Sequence, residues 1–190
     1  MNLESYFITP PYFSALAPFD FQIALSQVLR THRPTHACLR TNQASDALLS
    51  SFVRVCQEFG VLSYVNLACL QTSIDKALEF GFLGVHAKAS ALSELKNIPS
   101  PLYSFYSAHS LLEVQEALKQ GVCYTTLSPI FPTPNKPPPL SLDYLDQLGP
   151  KTKKRTFALG GVVTPHQVSL IAQKGLRGFA SMRYFLQSLL

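Results

Sequence analysis

One unit recurs along the whole chain: a short apolar run, a polar turn, then a longer segment whose apolar residues fall at helical spacing. The spacing predicts strands at 5–9 (SYFIT), 36–40 (HACLR), 61–66 (VLSYVN), 84–88 (GVHAK), 102–108 (LYSFYSA), 123–129 (CYTTLSP), 156–161 (TFALGG) and 178–182 (GFASM). Helices are expected between and after them, at 19–32, 44–60, 72–81, 90–98, 110–121, 141–149, 164–175 and 183–190. Ser45, Thr72, Ser110 and Thr164 stand where N-caps belong, and Gly60, Gly81, Gly121 and Gly175 where a helix stops in a left-handed residue. Eight consecutive strand–helix units predict an α/β fold of the (β/α)8 TIM-barrel type, with residues 1–190 as a single compact domain. The rival is an open doubly wound sheet, but the glycine-rich phosphate turn it needs after its first strand is replaced here by FITPPYF.

Composition narrows the function classes. Hydrophobic residues make up 47% and charged residues 14% of 190 positions, which excludes a disordered chain. No apolar run reaches membrane-spanning length, and the start MNLESYFITPPYF lacks the pattern of a secretory signal, so a cytoplasmic location is expected. Cys38, Cys56, Cys69 and Cys123 show no paired C-x-x-C spacing and are expected to be reduced core residues rather than zinc ligands. The net charge is +5, and the basic run KTKKR at 151–155 is short and free of interleaved aromatics, so a small anionic substrate is expected and nucleic acid is not.

In a barrel of this kind, chemistry sits where the strands end. Those ends carry Thr9 and Pro10, Arg40 to Asn42, Asn66, Lys88, Ser107 to His109, Ser128 to Lys136, Gly160 and Gly161, and Ser181 to Arg183. They offer cations, a histidine and a glycine pair, but no carboxylate. Gly160 and Gly161 would let a phosphate approach free backbone N–H groups, with Met182, Arg183 and the start of the last helix closing a cup; the bland alternative is a plain turn and a solvated arginine. His109 is placed to move a proton near neutral pH, or merely to cap the helix beginning at Ser110. His86 lies within a strand, as an interior residue or a pocket wall, and His32, His36 and His166 are expected at helix ends or surfaces. The stretch SPIFPTPNKPPP, 128–139, puts six prolines in twelve positions and so can neither extend a helix nor pair as a strand. It reads as a preshaped flap whose Thr133, Asn135 and Lys136 face an anion, or as a solvated loop.

These segments resemble the thiamine phosphate synthase and TenI superfamily. SPIFPTPNKP is similar to its GPIFPT-x-TK loop, ALGGVVTPHQ to its AIGGI ending, FGFLGVH to GADGVH, YSAHSLLEVQEAL to its S-x-H-x-x-E-A helix, CLR to QLR, and YFITPP to YLIT. The resemblance implies one of two activities. Synthases join a pyrimidine diphosphate to a thiazole phosphate with magnesium held by two aspartates, and TenI-type proteins tautomerise a carboxylated thiazole phosphate without metal. The departures favour the second. The first aspartate position falls on Leu67, after Asn66, or on Thr72, after Gln71, in the other register; the second falls on Ala91, and the lysine of QLREK on Asn42. Carried over on this resemblance, His109 is the expected general acid/base, and Arg40, Ser107, Thr133, Lys136, Gly160, Gly161, Met182 and Arg183 are expected to bind substrate and its phosphate, with no metal and no cofactor. A divergent synthase and a catalytically silent binder of thiazole or thiamine phosphate are the alternatives. The expected partner is a small phosphorylated thiazole ligand; a homodimer stays open, and neither nucleic acid nor membrane is expected.

Overall fold

The structure, a computed structural model, describes residues 3–189. Each expected strand forms: β1 Glu4–Ile8, β2 His36–Arg40, β3 Leu62–Asn66, β4 Gly84–Ala87, β5 Tyr103–Ala108, β6 Tyr124–Leu127, β7 Thr156–Leu159 and β8 Gly178–Ser181. They pair in parallel in chain order, and β1 bonds both β2 and β8, so the sheet closes into a barrel with no free edge. The chain is therefore a single (β/α)8 domain. Both faces of every strand are covered, which explains the nearly unbroken apolar runs. Phe7, Leu39, Val65 and Val85 point outward into the layer shared with the helices, whereas Tyr6, Tyr64, Phe105 and Phe157 point into the barrel.

That interior is filled by rings. Phe105 sits 4.3 Å from Tyr6 and 5.0 Å, edge to face, from Tyr64, measured between ring centroids. Each fully buried aromatic removes a large apolar area from water, and edge-to-face pairs add about 0.5–1.5 kcal/mol apiece. The plug leaves the open space at the ends of the barrel. At the N-terminal end, Glu4 accepts a hydrogen bond from His36 Nε2 at 2.9 Å and pairs with Arg177 at 2.5 Å. His36 is thus buried inside the barrel, not on the surface as expected from sequence; strand alternation turns it inward beside Cys38.

The long helices are α1 Pro18–His32, α2 Asp46–Glu58, α3 Leu70–Phe80, α4 Leu111–Lys119 and α6 Pro165–Gln173, with a four-residue α5 at Pro150–Lys153 built from part of the basic run. Ser45, Ser110 and Thr164 cap as expected, Thr164 in a capping box with Gln167. Thr72 does not: α3 begins two residues earlier, and the Thr72 hydroxyl bonds Cys69 Sγ at 3.0 Å. Cys69 is consequently exposed at the helix start, whereas Cys38 and Cys56 are buried and Cys123 is half-buried.

Three expected helices shrink to 3-10 turns. The segment 90–98 becomes Ala89–Asn97 with a non-helical break at Ala91, 141–149 becomes Asp143–Gln147, and the tail becomes Tyr184–Leu189, with Leu190 outside the described residues. Pro11–Ala15 adds an unexpected 3-10 turn. Among the described residues no helix is long and apolar enough to cross a membrane.

Candidate functional site

Closure of the barrel gathers all the expected site residues at its C-terminal end. The first three strand ends are laced together: Arg40 N donates to Thr9 Oγ1 at 2.9 Å, and Thr41 N donates to the Asn66 carbonyl at 3.1 Å. Arg40 and Asn66 are register partners, so both side chains leave the sheet at one level. Between them and the end of β4 opens a cleft of about 450 Å³, walled by Pro11, Arg40, Asn42, Asn66 and Lys88. A somewhat larger hollow, about 500 Å³, lies on the outer helices α1 and α2 and holds none of these groups.

On the opposite side of the mouth, β5 delivers Ser107 and His109. His109 is exposed, and its Nδ1 lies 2.9 Å from the Ser128 carbonyl. A carbonyl only accepts, so Nδ1 carries the hydrogen and the neutral ring presents Nε2 as a lone-pair acceptor. The His109 backbone N–H donates to Glu113 Oε2 at 2.7 Å, which fixes the residue against the first turn of α4. Ser107 lies on the same strand two residues earlier, half-buried, and its Oγ is 2.9 Å from His86 Nε2.

His86 is the interior residue of its two expected roles. Its Nδ1 lies 2.9 Å from Tyr6 OH, so a line runs from the aromatic plug through the imidazole to Ser107 at the mouth. Burial pushes His86 down to about 3, and the Arg40 guanidinium adds to this; burial also holds the Tyr6 phenol far above its ordinary value. At neutral pH the line is therefore uncharged and serves to orient Ser107.

The proline-rich loop is seated on the glycine pair. Ile130 N donates to the Leu159 carbonyl at 2.9 Å and Phe131 N to the Gly160 carbonyl at 3.0 Å, extending the β6–β7 pairing past the strands. A Cβ on Gly160 would meet Pro129 at 2.7 Å, and one on Gly161 would meet Phe131 at 2.7 Å, both at positive φ. The open side of both glycines thus faces the loop. This corrects the expectation that their missing side chains make room for a ligand: the space is taken by Pro129 and Phe131. Their N–H groups find no hydrogen-bond partner among the described residues.

Thr133 is half-buried and donates to the Phe131 carbonyl at 3.0 Å, whereas Lys136 is exposed in a turn with Asn135 at φ 59°. Met182 is half-buried beside the barrel interior and Arg183 is exposed. The expected helix start behind them is a 3-10 turn whose Tyr184 N–H already donates to Ser181 Oγ at 3.2 Å, so the helix dipole invoked from sequence has little to offer there.

Two side chains that decide the character of the mouth went unchosen in the sequence. Lys88 is half-buried, and its Nζ donates to Asn42 Oδ1 at 3.3 Å and to the Ala68 carbonyl at 3.0 Å. Asn66 is 5% exposed, lines the cleft, and its side-chain amide has no hydrogen-bond partner among the described residues. Both stand at strand ends, which was the available signal; that Lys88 folds back over Asn42, 46 residues away, was not readable. The magnesium of the synthases does not fit this donor set. The cleft offers a guanidinium, an ammonium and amides; Glu94 borders an adjoining hollow of about 80 Å³ that shares Asn66 and Lys88 with it, and Ala91 is a buried methyl. Among the described residues no three His, Cys, Asp or Glu side chains converge as metal ligands.

Comparison with known sequences shows the kinship of the chain, and comparison with solved structures shows its fold. A profile of the family TMP-TENI, described as thiamine monophosphate synthase, matches residues 5–185. The chain is 31% identical over 128 residues to a protein of Aquifex aeolicus (strain VF5) described as a candidate thiamine-phosphate synthase 2, a match spanning 65% of this chain and 68% of that one. It is 32% identical over 123 residues to a thiamine-phosphate synthase of Prochlorococcus marinus, covering 62% of this chain but 35% of that longer protein. Among solved structures, a thiamine phosphate pyrophosphorylase from Pyrococcus furiosus superposes with a TM-score of 0.75 at 20% identity, over 98% of this chain and 92% of that one. An N-acetylmannosamine-6-phosphate 2-epimerase from Clostridium perfringens reaches 0.69 at 11% identity, over 97% and 87% of the two chains. At these identities the structural likenesses establish the fold.

Proposed function

The chain belongs to the thiamine monophosphate synthase family of thiamine biosynthesis, and from that premise we propose that it binds a phosphorylated thiazole and tautomerises it by proton transfer without metal. The observation that carries this reading is His109: its Nδ1–H is held on the Ser128 carbonyl, so Nε2 stands as a base at the mouth. In the mechanism, the phosphate lies against the free N–H groups of Gly160 and Gly161, with Thr133, Lys136, Met182 and Arg183 around it. Nε2 of His109 takes a proton from a ring carbon, and the imidazolium or solvent returns one at the far end of the conjugated system, so the bond order moves and the atom count is unchanged. Arg40 steadies the carboxylate of the ligand, and Ser107, held by His86, orients the ring.

The names of the relatives favour a second reading, a synthase joining a pyrimidine diphosphate to a thiazole phosphate. Against it stands the donor set of the cleft, which has amide and ammonium groups where a divalent ion needs carboxylates.

One experiment separates the two. Proton–deuterium exchange into a carboxylated thiazole phosphate is followed by NMR in the presence of EDTA, in the wild type and in His109→Ala. The expected result is metal-free exchange in the wild type and a rate lower by about 10²–10⁴ in the variant, the usual contribution of a positioned acid/base group. Undiminished exchange in the variant would refute the role of His109. Magnesium-dependent formation of thiamine phosphate from the two halves would establish the synthase, and ligand binding without exchange or coupling would leave a silent binder.

A further inference from the structure

The hollow of about 500 Å³ on the outer wall lies between α1 and α2, lined by Phe19, Ile23 and Arg30 of the first helix and by Arg54, Val55 and Glu58 of the second. Phe19 is 72% exposed and Ile23 50%, one helical turn apart; among the described residues no other two large apolar side chains left in water share a helix face. α1 already turns one apolar stripe, Phe21, Leu25, Val28 and Leu29, into the core. Phe19 and Ile23 begin a second stripe on its far side, which Ser26 and Arg30 continue at helical spacing. Charge is left over beside it. Asp20, Arg30, Arg54 and Glu58 are all exposed, and none makes an ion pair among the described residues. The Arg30 guanidinium lies instead over the Phe59 ring at 5.9 Å.

We propose that this face binds a second copy of the chain, with α1 lying antiparallel on α1 about a two-fold axis at the level of Leu25. The order of groups along the helix selects that occupant. Asp20 and Arg30 stand equally far from Leu25, about 7.5 Å along the helix on either side. The rotation therefore brings Asp20 of each copy level with Arg30 of the other and makes two ion pairs at once. It also sets Ile23 level with Gln27 of the second copy, and Phe19 level with Thr31, beside Arg30, Arg54 and Val55. There an aromatic ring meets a buried apolar side chain and two guanidinium groups. The face is acidic at one end and net basic at the other, where Glu58 offsets only one of two arginines, so it complements itself when reversed. A parallel pairing would set Asp20 on Asp20 and Arg30 on Arg30. None of the groups of the mouth lines this hollow, so the proposal rests on no reading of the reaction.

The test is sedimentation equilibrium of the whole chain over about 1–200 μM, a range that spans the affinities of interfaces of this kind. The wild type is expected to approach twice the chain mass of 21.0 kDa within it. A two-fold dimer contains each contact twice, so Phe19→Ser should weaken association about a hundredfold. Leu112→Ser, which removes a 76% exposed apolar side chain from α4, should leave it unchanged. Asp20→Arg and Arg30→Asp should each weaken association at least about tenfold, and the two together should restore it to within a few-fold of wild type, because the exchanged charges face each other again. The proposal is overturned if the wild type keeps the mass of one chain throughout, if Phe19→Ser associates as tightly as the wild type, if Leu112→Ser weakens association as much as Phe19→Ser, or if the double exchange stays as weak as the single ones. Should a charge reversal cost α1 its helical circular dichroism, Phe19→Ser against Leu112→Ser still decides the matter.

Discussion

Replacing Gly161 with alanine tests whether the proline-rich loop is held in place by the glycine pair. Two costs add. At φ +72° an alanine pays the left-handed penalty, about 1–2 kcal/mol. Its Cβ would also lie 2.7 Å from the carbonyl carbon, carbonyl oxygen and Cβ of Phe131, an overlap with backbone that no rotamer change relieves, adding about 1–3 kcal/mol. Gly175 is the natural control: its φ is +73°, and an added Cβ meets nothing within 4 Å, so Gly175→Ala carries the backbone term alone.

For a chain of this length about 1 kcal/mol moves the melting temperature by roughly 2–4 °C. Thermal unfolding followed by circular dichroism should therefore lower the midpoint by about 2–8 °C in Gly175→Ala and by about 4–20 °C in Gly161→Ala. The functional signature differs as well. Displacing Phe131 drags the loop root and the Ser128 carbonyl that orients His109, so Gly161→Ala should also slow proton exchange, whereas Gly175→Ala should leave it unchanged. Equal melting temperatures for the two variants would refute the reasoning, because the difference between them is the loop contact itself.

Two further perturbations probe the barrel interior. His86 is held at about 3 in the folded chain against about 6.5 unfolded, so between those pH values the unfolded state takes up a proton that the folded state refuses. Its contribution is complete above pH 6.5 and is lost as the pH falls, with a slope near 1.4 kcal/mol per pH unit, and His86→Gln should flatten urea-denaturation stability between pH 6 and 4; an unchanged slope would contradict this. At the N-terminal end, Glu4→Gln removes the charge that joins His36 and Arg177 and should cost about 1–3 kcal/mol, less than for a fully buried pair because Glu4 keeps a fifth of its side chain in water. A stability within 0.5 kcal/mol of wild type, on the scale of an ordinary surface substitution, would show that the trio is not a structural tie.

Strand periodicity, helix caps and terminal glycines are local chemistry, and they were legible. Eight apolar runs fell within two residues of the observed strands, and Gly60, Gly81, Gly121 and Gly175 all adopt the positive φ that stops a helix. The placing of Arg40, Ser107 and Gly160 at or near strand ends followed from the same pattern. What failed was also local in appearance but tertiary in cause. Segments 90–98 and 141–149 have helical spacing, yet they settle as 3-10 turns, the first interrupted by a non-helical residue at Ala91. His36 carries no sequence mark of burial; only closure of the barrel brings Glu4 and Arg177 to it.

The sequence by itself determined the kind of fold and the side chains available at its mouth, because each strand–helix unit is specified by contacts within a few dozen residues. It also determined that no pair of carboxylates stands at the strand ends. Only the tertiary structure decided which of those side chains meet: Lys88 over Asn42, Phe131 over Gly161, the Ser128 carbonyl on His109. Those meetings join residues far apart in the chain, and their geometry is set by the curvature of a closed sheet, which no local pattern encodes.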